Sequence, residues 1–174
     1  YQDLRHSIRT VTQEPFLFSD TVENNIAFAI EDRPEDWQEY FPSLLQQAAL
    51  QEEVDKFPLQ EQTIVGEKGI LLSGGQKQRI SLARAMATSC DLLILDNVLS
   101  AVDYETERYL LQQIFARRQA KSLLIVSHRV TAVEKADWIL VLDEGRIVAQ
   151  GTHEKLLQQP GYYQEMWALQ HETS

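Results

Sequence analysis

The residues with the clearest capacity for chemistry lie in Leu72-Ser-Gly-Gly-Gln-Lys-Gln-Arg79. Ser73 followed three residues later by Gln76 has the form of a capping box at a helix start. Ile80, Ala83 and Ala87 then continue at the helix period. Gly74 and Gly75 carry no Cβ, so a ligand can approach their backbone closely. Their N–H groups, the helix dipole and the Ser73 hydroxyl together suit an anion such as a phosphate. Taken alone, the segment reads equally as a glycine-rich loop with an ordinary cap. Ser127 and His128 are adjacent, but strand neighbours point to opposite faces, which disfavours a serine–histidine hydrolase pair. The sequence shows no cluster of Cys and His with metal-ligand spacing, and Cys90, Trp37, Trp138 and Trp167 read as packing residues.

The elements that must position such a site follow from periodicity. Leu92-Leu-Ile-Leu95 and Leu123-Leu-Ile-Val126 are apolar runs closed by polar residues, the pattern of strands covered on both faces. Between them, Leu110, Leu111, Ile114 and Phe115 recur at helical spacing within Glu105 to Arg118. This βαβ alternation predicts a parallel sheet. Trp138 to Leu142, Asp143-Glu-Gly145 and Arg146 to Gln150 predict a hairpin. Helices are expected from Thr152 and from about Gly161. In the other half, Leu44, Leu45, Ala48 and Ala49 at helical spacing point to a small helical subdomain.

With 174 residues, 44% of them hydrophobic and 24% charged, the chain has the composition of one globular domain. Sixteen basic against 26 acidic residues give a formal charge of −10. That balance argues against duplex nucleic acid or anionic lipid as the main partner. Residues 31 to 61 hold nine acids against Arg33 and Lys56, a net −7, which as charges alone read as a solvated helix face. Cys90 is the one cysteine, which fits a reducing compartment. No apolar stretch is long enough to span a bilayer and residues 1 to 20 carry no secretory signal, so a cytosolic piece is expected.

As a complete octapeptide, Leu72 to Arg79 resembles the signature motif of the ABC (ATP-binding cassette) ATPases, and further segments fit that family in order. Asp96 matches the Walker B aspartate, which implies a Mg²⁺ ion held largely through water. His128 sits where the family's switch histidine sits. Gln13 in Thr12-Gln-Glu-Pro-Phe-Leu-Phe18 resembles the Q-loop glutamine, whose amide contacts the metal and the attacking water. Ser100-Ala-Val-Asp103 is similar to the D-loop, which crosses between paired cassettes. Thr63 to Gly69 resembles the X-loop of exporters, and Gly151 to Leu157 their ending.

The resemblance implies an α/β fold of the P-loop NTPase type, a parallel sheet with an inserted α-helical subdomain over about residues 20–87 and a core from 1–19 and 88–174. It implies the ATPase domain of an exporter-type, multidrug-like half-transporter on the cytoplasmic side of the cell membrane. ATP and Mg²⁺ are the expected cofactors. A second cassette and, through coupling helices, a transmembrane domain are the expected partners. Ser73, Gly74, Gly75 and Gln76, with Asp103, would meet the partner's ATP. Competing readings are a non-transport ABC ATPase and a module that dimerises on ATP without hydrolysing it.

Two departures qualify the match. No Gly-Lys dipeptide occurs, so the Walker A loop is absent and the chain reads as the C-terminal portion of a cassette, expected to bind nucleotide poorly alone. The residue after Asp96 is Asn97, where hydrolytically competent members carry Glu. An amide orients water but cannot accept its proton. The expectation is a degenerate site of its own, a signature that completes the partner's site, and hence a heterodimer.

Overall fold

A computed structural model describes residues 7–67, 69–116 and 120–172. They fall into two units, the first ending at Val126 and the second beginning at Ser127.

The first unit is built on a three-stranded sheet. Strand β1 (Ile8–Val11) is followed by the short β2 (Asp20–Thr21) and by helices α1 (Val22–Ala27), α2 (Trp37–Gln47) and α3 (Gln51–Val54). Then come β3 (Ile64–Val65), α4 (Gly74–Met86), β4 (Cys90–Asp96), α5 (Tyr104–Ala116) and β5 (Ala120–Val126). The sheet order is β1-β4-β5, and both pairings are parallel. Val11 stands opposite Leu95, and Asp96 opposite Val126, so the three strands end together. The βαβ alternation of the sequence is thus realised by β4, α5 and β5. Leu110, Leu111 and Ile114 of α5 are buried as their spacing requires, and the C-terminal end expected at Arg118 lies outside the described residues.

Coverage of the sheet differs from expectation. Leu93 and Leu95 of β4 are buried, but Leu124 and Val126 of β5 are each 50% exposed. Among the described residues, only one face of β5 is packed. An apolar run reports that both faces avoid water in the finished assembly, not which atoms of this chain cover them.

In the helical region Val22, Ile26, Trp37, Phe41, Leu44, Leu45, Leu50 and Val54 are buried. Buried Glu23 fastens it: its carboxylate accepts from Trp37 Nε1 at 2.6 Å, Arg33 Nη1 at 3.1 Å and Gln62 Nε2 at 2.5 Å. A buried carboxylate is tolerated only when donors replace its water, and here they come from the approach and start of α2 and from Gln62 well beyond it. Seven of the nine acids between residues 31 and 61 are exposed, a solvated face as their charge suggested.

The second unit contains β6 (Ile139–Asp143), β7 (Arg146–Gly151), α6 (His153–Leu157) and α7 (Tyr162–Glu172). β6 and β7 form the antiparallel hairpin read from the sequence. Its two-residue turn, Glu144-Gly145, has φ of 45° and 75°, the left-handed pair that a type I′ turn demands. Val130, Ile139, Val141, Leu156 and Tyr163 make the core. Trp167 packs edge-on to His153, at 4.6 Å between ring centroids. Trp138 is not a packing residue: with Leu140 and Leu142 it lies on the alternate, outward face and is 55% exposed. Among the described residues no helix is long and apolar enough to cross a membrane.

Candidate functional site

Helix α4 carries the glycine-rich segment at its first turn, and the capping box is complete. Ser73 Oγ accepts the Gln76 N–H at 3.2 Å, and Gln76 Oε1 accepts the Ser73 N–H at 2.9 Å. This pair leaves the Gly74 and Gly75 amides outside the helix's own bonding pattern. A Cβ at Gly74 would meet nothing within 4 Å, so one side of this turn is open. Gly75 differs: its Cβ would lie 2.9 Å from the carbonyl oxygen of Ala101. The segment Ser100–Asp103 therefore sits directly against the start of α4, and only glycine permits that approach.

The sheet's carboxyl edge gathers the second group. Asp96 ends β4 with its side chain exposed, and Gln13, also exposed, follows two residues after the end of β1 on the neighbouring strand. Strands ending in register place both side chains at one edge, where open α/β sheets bind ligands. Asn97 turns the chain there with φ 52°, its N–H donating to Val126 O at 2.8 Å and its own carbonyl accepting the Ser100 hydroxyl at 2.9 Å. Its Oδ1 is buried without a partner.

These atoms fit an ATP–Mg²⁺ group. Asp96 and Gln13 offer one carboxylate and one amide oxygen, a sparse set that suits an ion keeping water and phosphate oxygens in its shell. No group of three His, Cys, Asp or Glu that would enclose a metal exists among the described residues. Asp103 has a structural duty besides any nucleotide contact. Its carboxylate accepts the Thr106 N–H at 2.9 Å and hydroxyl at 2.7 Å, and these bonds hold it below the usual carboxylate range. His128 belongs to the second unit, where it is exposed and its carbonyl accepts from Gln170 Nε2 at 3.2 Å.

Three residues to which the sequence assigned no role link these pieces, all from α4. Gln78, 4% exposed, donates through Nε2 to Gln13 O at 2.9 Å. Arg79 donates from Nη2 to both carboxylate oxygens of Glu53, at 2.7 and 2.9 Å, and from Nη1 to Ala49 O at 2.5 Å. Arg84 donates to Asn25 O at 2.7 Å, Asn25 Oδ1 at 3.0 Å and Phe16 O at 3.1 Å, with the rings of Phe18 and Phe28 within 5.8 Å of its guanidinium carbon. The available signal is that Gly75, Gln78, Leu82 and Ala85 fall on one helical stripe, so a glutamine occupies an apolar position.

The ABC transporter family model matches residues 1–100, more than half of the chain. The chain belongs to the ABC transporter family. It is 41% identical over 166 residues to the multidrug resistance-like ATP-binding protein MdlA of Escherichia coli, covering 95% of this chain and 28% of that protein. It is 43% identical over 167 residues to the ATP-dependent lipid A-core flippase of Pseudomonas fluorescens, covering 96% and 28%. A solved bacterial Atm1-family ABC exporter with ATP bound superposes at a TM-score of 0.87 with 35% identity, covering 98% of this ABC chain and 30% of that one. The ABC chain thus spans under a third of the length of these relatives.

Proposed function

We propose that this chain forms part of the nucleotide-binding domain of an ABC exporter, with residues from about 20 to 87 as its helical subdomain. The observation that carries the reading is the capped start of α4, with two glycine amides outside the helix ladder and open space beside Gly74. Donors and a positive dipole end at this turn support contact with a nucleotide phosphate of a facing cassette. The relatives named above, with their ATP-binding and flippase functions, support the same reading.

In the assembled protein two cassettes close on ATP and reopen after hydrolysis, driving a transmembrane domain through its coupling helices. Asp96 and Gln13 would hold Mg²⁺ at this chain's own site, and His128 stands at the family's switch-histidine position in the sequence. Ser73 to Gln76 and Asp103 complete the partner's site. Asn97 at the position of the catalytic Glu makes the own site slow, because an amide orients water without taking its proton. The partner is therefore a different, hydrolytically competent cassette, on the cytoplasmic side of the cell membrane. The acidic surface supports this over a nucleic-acid-linked ATPase.

The test is single-turnover hydrolysis by the full-length protein assembled with its partner. Asn97→Glu is expected to raise turnover at this chain's own site by about 100-fold or more, as the 10²–10⁴ typical of a general base implies. An unchanged rate, or a native homodimer that hydrolyses ATP well, refutes the degenerate-site reading.

A further inference from the structure

The signature helix meets the Q-loop segment at two side chains, Arg84 at Phe16 and Gln78 at Gln13 itself. Gln78 is buried, its Nε2 donates to the main-chain oxygen of Gln13 at 2.9 Å, and its Oε1 is buried with no partner. A buried amide with half of its capacity unmet is less favourable than an apolar side chain of similar volume. Packing alone would be served as well by methionine or leucine, so the donor to Gln13 is what this residue supplies. One turn earlier on the same stripe, Gly75 abuts Ala101 of the D-loop segment. The side chain of Gln13 remains exposed, while its backbone is held from below.

We propose that Gln78 is a positioning residue that couples the two composite nucleotide sites within this chain. The inference rests on the cassette reading above. There, the Gln13 amide senses metal and nucleotide in this chain's own site, and the start of α4 meets nucleotide in the partner's. A shift of the loop at Gln13 pulls on the helix through the Gln78 hydrogen bond, and a shift of the helix pulls back on the loop; Arg84 holds the loop further on, at Phe16. Such coupling is reciprocal by linkage. It gives the slow site a function: nucleotide held there sets the pose of the signature that the fast site uses.

The experiment measures ATP turnover against ATP concentration for the full-length protein with its partner cassette in lipid nanodiscs. The variants are Gln78→Met, Gln78→Glu, Gln13→Ala and the double variant Gln78→Met with Gln13→Ala. Both Gln78 single variants keep the volume closely; Gln78→Met removes the donor, and Gln78→Glu in its ionised form sets an acceptor against the Gln13 carbonyl. Each is expected to lower kcat about fivefold and to move the Hill coefficient toward one, with KM changed less than about twofold. The thermal midpoint of Gln78→Met is expected to stay level or rise, because an unpaired buried acceptor is removed. The double variant is expected to be no slower than Gln13→Ala alone.

Unchanged kcat and cooperativity in Gln78→Met overturn the proposal, as does strict additivity in the double variant. A fall in thermal midpoint that parallels the fall in kcat, or failure of both Gln78 variants to assemble, also overturns it by making Gln78 a packing residue. An unsubstituted assembly that neither binds nor turns over ATP refutes the cassette reading itself, a distinct result that removes the coupling with it.

Discussion

Asn97 holds its place by backbone conformation as well as by chemistry. Its φ of 52° lies in the left-handed region, which asparagine enters more readily than other side chains with a Cβ. Its N–H and carbonyl fix the turn from β4 into Ser100–Asp103, so the backbone cannot relax without moving both. Asn97→Glu therefore carries a stability cost even where it restores a proton acceptor, since a longer side chain enters the left-handed region and brings a carboxylate to a half-buried position. A loss of about 1 kcal/mol is expected from the backbone alone, with Asn97→Gly close to neutral by the same argument. Denaturant midpoints of the two variants measure the difference. Equal midpoints would show that the turn is not strained at this position.

At the scale of elements, α4 is where the molecule's connections converge, and its cation–carboxylate clamp is the strongest of them. The side chains of Arg79 and Glu53 are 13% and 31% exposed and meet through Nη2, which both carboxylate oxygens share, while Arg79 also reaches the carbonyl of Ala49, itself in a left-handed conformation. Arg79→Met is expected to destabilise by about 2 kcal/mol, since it strands a carboxylate and a helix-end carbonyl together. Glu53→Gln, which keeps an acceptor, should cost less than half as much. A double-mutant cycle checks that the losses are shared rather than summed. This element also marks how far the sequence could be read. The apolar runs of β4 and β5, the periodic apolar residues of α5 and the Ser73–Gln76 cap were legible because each is a pattern within a few residues. The Glu-Gly turn of the hairpin was legible because type I′ geometry restricts composition. Gln78 to Gln13 spans 65 positions and Arg84 to Asn25 spans 59. No local period encodes such a bond, and a polar residue on the buried stripe reveals only that a partner exists. The exposure of Trp138 was illegible for a related reason: which strand face is covered depends on elements distant in sequence.

Across the whole molecule, the two units have cores of very different size, and the smaller one contains an ionisable group. Tyr163 is buried in the second unit with its hydroxyl 2.8 Å from His153 Nδ1. Burial, reinforced by the charges of Glu134 and Glu154, pushes its phenol up to about 12, above the ordinary value near 10. The neutral phenol is thus preferred in the folded state, and its contribution to stability is complete below about pH 10. As pH rises from about 10 toward 12 the unfolded chain releases this proton first, and the contribution is lost. The loss falls on a unit whose described core is small, a cluster of Val130, Ile139, Val141, Leu156 and Tyr163, so it should dominate there. Alkaline titration is expected to expose amides of β6 and β7 to hydrogen exchange before those of β4, which lie in the central strand of the larger core. Tyr163→Phe removes both the titration and the bond to His153. Its second unit should start less stable by about 1 kcal/mol at neutral pH and lose less between pH 10 and 12. Identical alkaline profiles for the variant and the unsubstituted chain would show that the phenol is not the group responsible. Simultaneous exchange of β4 and β6 would show that the two units unfold as one.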